Sequence, residues 1–266
     1  MKFAFNLPNF GEFADPRVLA EVAVAVEAGG WDGLFIWDHL APAFVPGRPM
    51  PPVADATVAL TTIAAATSSI RFGPMISPLP RRRVQKIARE FGSLDLLSDG
   101  RAILGVGLGV PTDAEFEWFG EDGSDLARAQ RLDESLEVLA SLWRGEDVAF
   151  DGRHLHVHTP AFTPVPARIP IWVAATWPGR AGPIRRAARW DGVFPIPADP
   201  MNDFITVDDV VALRVAIERR DKYDIVVNGG PDAVPEEFAA AGVTWWIETY
   251  FARDDALRRA KEGPPR

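Results

Sequence analysis

The sequence predicts an α/β protein built as a (β/α)8 TIM barrel, and three observations carry this. Eight short apolar segments alternate with amphipathic helical segments along nearly the whole chain. The apolar segments lack the every-second-residue polar pattern of a half-exposed sheet, as strands covered on both faces do. At 266 residues, 47% of them hydrophobic, the chain suits one closed barrel, a fold of roughly 250 residues. Without internal repeats or a low-complexity linker, residues 1–266 are expected to form one domain.

The elements follow in order. The first strand is Lys2 to Leu7. The first helix, Pro16 to Ala28, has Asp15 as N-cap, Pro16 at its first position and Gly29-Gly30 as its stop. Gly33 to Trp37 is the second strand, and the helix Asp55 to Ser68 follows it. Arg71 to Met75 and Arg101 to Val106 are the third and fourth strands, separated by the helix Val84 to Leu97. Ser124 to Trp143 is the longest helix. The segment 147–166, DVAFDGRHLHVHTPAFTPVP, breaks the rhythm and reads as an inserted hairpin before the fifth strand, with Asp151-Gly152 at its turn. Strands Pro170 to Ala174, Asp191 to Pro195, Tyr223 to Asn228 and Val243 to Glu248 complete the set. The helices Arg180 to Arg189, Thr206 to Arg220, Glu236 to Ala241 and Asp254 to Lys261 go with them. Between the seventh and eighth strands there is room for little more than two helical turns, a shortening that would open the barrel or reshape its mouth.

Charge and composition exclude several functions. A formal net charge of −9 disfavours nucleic acid and anionic membranes, both of which reward positive charge. The absence of cysteine removes disulfides, thiolate catalysis and thiolate metal sites. No apolar run approaches the roughly 20 residues that span a bilayer, and the start MKFAFNLPNF lacks a signal-peptide core. A cytoplasmic protein is expected.

In such barrels chemistry gathers where the strands finish, because the following loops share one mouth. There the second strand delivers Asp38 and His39. An imidazole suits proton transfer near neutral pH, and an adjacent carboxylate would orient it; equally, Asp38 caps a turn and His39 packs. Asn6 ends the first strand, and Met75, Ile76 and Ser77 end the third. Gly105, Gly107 and Gly109 of GVGLG let a flat ligand approach the backbone, or form a turn. Glu115 follows them. The arginines of PLPRRR, 78–83, meet an anion or lie in solvent. Ala174, Thr176, Trp177 and Gly179 lead into TWPGRAG, which opens a helix whose free N–H groups suit phosphate, or makes an ordinary turn. His154, His156 and His158 alternate along the inserted strand and so share one face; without an acidic partner spaced with them, no metal is expected. Trp37, Trp172, Trp177, Trp245 and Trp246 lie on or beside strands, where some would wall a pocket for a planar ring.

The blocks GLFIWDHL, LDLLSDGR-AILGVGLG, EFEWFG and RLDESLEVLASLWRG resemble the luciferase-like flavin-dependent oxidoreductase family, and IPIWVAA, WDGVFP, YDIVVNG and GVTWWIE extend the resemblance in order over most of the chain. The resemblance implies a barrel, usually dimeric, that holds a reduced flavin at its mouth. The deazaflavin coenzyme F420 is the expected cofactor, because Asp38-His39 looks more like that branch; FMN, supplied by a separate flavin reductase, is the alternative. It further implies a non-prolyl cis peptide at Met75-Ile76 behind the ring, GVGLG at the ring edge, Glu115 toward the substrate and Thr176 to Gly182 around phosphate. His39 would be the acid or base for a small-molecule substrate, with Asp38 fixing it and Glu115 as a second candidate. A metal-dependent barrel hydrolase and a flavin-binding relative without turnover remain the alternatives.

Overall fold

The computed structural model describes residues 1–43, 47–200, 202–218 and 222–265. Nine parallel strands form the wall: β1 (Lys2–Leu7), β2 (Gly33–Ile36), β3 (Arg71–Pro74), β4 (Ser77–Pro78), β5 (Leu104–Gly107), β8 (Ile171–Thr176), β9 (Gly192–Ile196), β10 (Asp224–Asn228) and β11 (Trp245–Thr249). Their order is β3-β2-β1-β11-β10-β9-β8-β5-β4. β3 and β4 are two pieces of one stave. Phe72 on β3 bridges Ala102, and Ser77 on β4 pairs with Val106 on β5, so the ring closes. The expected eight staves are therefore present.

The seam closes because Gly73 has no side chain. A Cβ there would lie 1.8 Å from the carbonyl oxygen of Ile103, a backbone atom that cannot swing away. Gly73→Ala is expected to destabilise the protein by about 1–3 kcal/mol or more, read as a fall in the urea midpoint.

Helices α1 (Pro16–Ala28), α2 (Ala56–Ala66), α3 (Val84–Leu97), α4 (Thr112–Glu115), α5 (Asp125–Leu142), α6 (Ala181–Ala187), α7 (Val207–Ile217), α8 (Pro235–Ala241) and α9 (Arg253–Glu262) follow the strands. Asp15 caps α1 through the Arg17 N–H, as its position predicts. α7 is shorter than expected, ending in left-handed Glu218; the Arg219-Arg220 end of that expectation lies outside the described residues. No described helix is long and apolar enough to cross a membrane.

Two apolar layers result. The larger packs the outer strand faces, including Phe3, Phe5 and Leu7, against the helices. The smaller fills the lumen with Ala4, Phe35, Met75, Ile103, Trp172, Val226, Trp245 and Ile247. The Phe35, Trp172 and Trp245 rings meet with centroids 5.2–5.8 Å apart. Trp172 and Trp245 therefore plug the barrel instead of walling a pocket.

Arg101, expected to start the fourth strand, instead folds back beneath it. Its buried guanidinium donates to the carbonyls of Ala64, Thr67, Ile70 and Ser98, satisfying the open end of α2. The turn that presents it uses Asp99 and Gly100, both with positive φ, which explains the order Ser-Asp-Gly-Arg.

The inserted segment forms the antiparallel pair β6 (Val148–Asp151) and β7 (His156–Thr159), as predicted. Its turn takes in Gly152 to Leu155, closed by the Gly152 N–H to the Leu155 carbonyl at 2.8 Å. The stretch between β10 and β11 holds only the seven-residue α8, yet the two strands still pair, so the shortening leaves the wall intact.

Candidate active site

At the C-terminal rim the side chains nearest the end of β2 form a dense charged cluster. His39 Nδ1 lies 3.0 Å from Glu115 Oε1. Glu115 is 1% exposed and accepts the backbone N–H groups of Leu40 and Ala41 as well. Arg81 Nε stands 3.1 Å from its second oxygen. Burial raises the carboxyl pKa, but the His39 hydrogen bond, the Arg81 charge and the Ala41 N–H outweigh it and hold the group below its usual value. A carboxylate at this position accepts, so His39 Nδ1 carries the shared proton.

Asp38 has a different task from the one its position suggests. Its carboxylate accepts the Ser77 hydroxyl at 2.6 Å and lies 3.1 Å and 3.2 Å from Arg81 and Arg82. Arg82 continues to Glu90 on α3 at 2.9 Å. Burial lowers the Arg82 pKa, but Asp38 and Glu90 outweigh it and hold the guanidinium above its ordinary value. The expectation that Asp38 fixes His39 is corrected: Glu115 holds the ring, and Asp38 holds the arginine that holds Glu115. The backbone of His39 is pinned separately, since Asn9 accepts its N–H at 3.1 Å and donates to its carbonyl at 2.9 Å. Glu115 likewise lies under the rim instead of facing a substrate. Two of the PLPRRR arginines are internal struts; only Arg83 is exposed.

Aromatic rings surround His39. Trp37 and Phe10 approach it with centroids 5.6 Å and 6.0 Å away, and Phe251 meets Trp37 edge-on at 5.6 Å. Along the neighbouring staves β1, β11 and β10, Asn6 Nδ2 donates to Thr249 Oγ1 at 3.3 Å, and Thr249 donates to Asn228 Oδ1 at 2.7 Å. Asn6 shares the lumen face with Ala4, one layer nearer the rim. Its Oδ1 is buried, and no described residue donates to it.

The other predicted residues fall into place unevenly. The cis peptide is at Met75-Ile76, where the resemblance put it. Ser77 is committed to Asp38. GVGLG does not leave an open bed. A Cβ on Gly105 would meet the Pro74 oxygen at 2.4 Å, and one on Gly107 would meet Ile76 Cδ1 at 2.0 Å. Gly109, at φ +88°, packs on Pro78 and Phe116. These glycines admit protein atoms from the broken third stave. Ala174 borders Gly107 and is half-buried, whereas Thr176, at the end of β8, and Gly179, in the loop before α6, are exposed, with Trp177 half-buried beside them. His154 lies in the hairpin turn and bonds Gln130, while His156 and His158 both meet Asp151 at 3.1 Å, so the three do not share one face. Among the described residues no group of three His, Cys, Asp or Glu stands where it could hold a metal ion.

Residues 1–251 match the family model described as luciferase-like monooxygenase. The chain belongs to the luciferase-like monooxygenase family. Among its curated relatives, an F420-dependent glucose-6-phosphate dehydrogenase of Gordonia bronchialis is 34% identical over 177 residues, covering 63% of this chain and 52% of that protein. The chain thus spans about half the length of the curated relatives it matches. A solved F420-dependent secondary alcohol dehydrogenase in complex with an F420-acetone adduct superposes with a TM-score of 0.78 at 17% identity, over 99% of this chain and 98% of the other. A monooxygenase, RslO1, from Streptomyces bottropensis gives 0.74 at 19% identity, over 98% and 97%. At these identities the solved structures show the luciferase-like fold alone.

Proposed function

We propose that the protein is an F420-dependent oxidoreductase that moves a hydride between the deazaflavin coenzyme and a small organic substrate, with His39 as the proton-transfer group. The observation that carries this is the imidazole at the barrel mouth whose Nδ1 is locked onto a buried carboxylate. The names of the curated relatives support the choice of coenzyme.

The rim fits a flat, partly polar ring. Trp37, Phe10 and Phe251 give it an aromatic wall, and the orphaned Asn6 Oδ1 suits a ring N–H. When bound, the coenzyme supplies a carbon that accepts or returns a hydride. His39 Nε2 takes the substrate's hydroxyl proton or gives it back, Glu115 holds the tautomer, and the Asp38–Arg81–Glu115 relay keeps the ring from turning. Ala174, Thr176, Trp177 and Gly179 stand on the β8 loop, where the phosphate side of a cofactor would rest.

The runner-up is an FMN oxygenase fed by a separate flavin reductase, supported by the family model's description as luciferase-like monooxygenase. The metal-hydrolase alternative loses its ligands, since the hairpin histidines bond Asp151 and Gln130. We read residues 1–266 as one domain of a cytoplasmic homodimer that binds neither nucleic acid nor membrane, which sedimentation checks for the dimer.

Absorbance titration with oxidised F420, and separately with FMN, tests the coenzyme. Saturable one-to-one binding of F420 is expected; saturation by FMN alone would favour the oxygenase. Asn6→Leu should weaken F420 binding about tenfold, the effect of losing one hydrogen bond to a buried group, in the same titration.

A further inference from the structure

A groove of about 660 Å³ lies outside the barrel mouth, between the hairpin, the start of α3 and one face of α5. Residues 154–159 line one wall without a gap, and residues 80–85 line another. Side chains of a strand alternate between two faces, so a strand that presents a face supplies only every second residue. β7 supplies all four of its residues, which places its edge along the groove. That edge is open, since among the described residues β7 pairs with β6 alone. From α5 come Arg131, Ser135 and Leu142. The first and last of these are separated by about 16 Å of helix rise, the length of about five residues of extended chain.

The lining carries unmet hydrogen-bonding atoms of both kinds. Arg131 Nε and Glu121 Oε2 are buried, and neither has a hydrogen-bond partner among the described residues. Arg83 is exposed and makes no ion pair among the described residues. A free phosphate or other simple anion would satisfy the arginines and be repelled by Glu121. An extended backbone offers a carbonyl to Arg131, an N–H to Glu121 and a ladder to the β7 edge together. Four arginines and one glutamate line this groove, on a chain whose net charge is −9, so carboxylate side chains suit it. Leu142, Val157 and Phe162 add apolar surface.

We propose that this groove docks an extended acidic segment of another protein, which adds as a third strand beside β7. Ladder hydrogen bonds to the β7 edge supply affinity without regard to sequence, and the arginines select carboxylate side chains. An open edge accepts any neighbouring strand, and the Arg83 and Arg131 wall narrows the choice to acidic ones. The groove is separate from the His39 cluster. Arg81 and Arg82 turn their charges to Asp38, Glu115 and Glu90, which leaves Arg83 and Arg131 to the segment.

The test titrates the full chain with a fluorescein-labelled peptide of alternating glutamate and valine, read by anisotropy, and with its lysine–valine counterpart. Saturable binding of the glutamate peptide alone is expected, weakening as salt is raised. Amide exchange in β7 should slow in the complex while that in β1 stays the same. Arg131→Gln and Arg83→Glu should each weaken binding about tenfold, the effect of losing one hydrogen bond to a charged group, with unchanged melting temperatures. A peptide with two adjacent central prolines should not bind, because one of the two missing N–H groups always faces β7. No binding of the glutamate peptide, equal binding of the lysine or proline peptide, unaltered affinity in both variants, unslowed β7 exchange, or displacement by inorganic phosphate would overturn the proposal. So would a dimer that dissociates in the Arg83 variant, because a second copy would then hold the edge. F420 affinity should be the same with and without saturating peptide; a loss would place the peptide in the mouth and overturn the proposal too.

Discussion

Replacing Glu115 with Gln is expected to unsettle the protein more than any other single change at the rim. The carboxylate, itself 1% exposed, accepts from His39, Leu40 and Ala41 and pairs with Arg81. A carboxamide keeps the shape but turns one oxygen into a donor among donors and leaves Arg81 short of its partner. Removing one member of a buried pair costs about 3–5 kcal/mol. The effect depends on pH with a definite sign. The folded carboxyl titrates below its ordinary 4.5, so its contribution is complete above that pH and is lost as pH falls through the lower folded value. The melting-temperature gap between the wild-type protein and Glu115→Gln should be widest near neutrality and should narrow below pH 4.5. A gap that stays constant down to acid pH would mean the charge has no part in it.

His39→Ala is expected to act in the opposite sense, on turnover and hardly on the fold. The side chain lies beyond the end of β2, retains 15% exposure and packs on the rim rings of Trp37 and Phe10 instead of the core. Losing a positioned acid or base lowers kcat by about 10²–10⁴-fold. Thermal melts and F420 affinity should stay near the wild-type values. A variant that turns over normally would take the imidazole out of the chemistry and leave Glu115 with a structural role only.

The barrel was legible because period and polarity are local. Apolar runs such as Gly33 to Ile36 and capped helices such as Pro16 to Ala28 announce themselves within a few residues. His39 was legible for the same reason, as a polar residue directly after an apolar strand. Its partner was not. Neighbours in an extended chain point to opposite sides, so Asp38 turns to Ser77 and Arg82 while His39 meets Glu115, 76 residues away in the sequence. The burial of Arg81 depends on how the loop after β4 folds across the rim, and no local pattern records that. The broken stave that fills the GVGLG glycines is visible only once β3 and β4 are paired with β5. The hairpin histidines misled by parity alone: the turn takes up His154 and leaves two on the strand.

A crystal structure of the protein grown with oxidised F420 tests the central claim most directly. The claim predicts the deazaflavin ring in the mouth, edged by Trp37, with its reactive carbon facing a space that His39 Nε2 reaches within about 3 Å of a substrate hydroxyl. Coenzyme density outside the barrel mouth, for example in the groove between the arginines at 81–83 and the hairpin histidines, would contradict it.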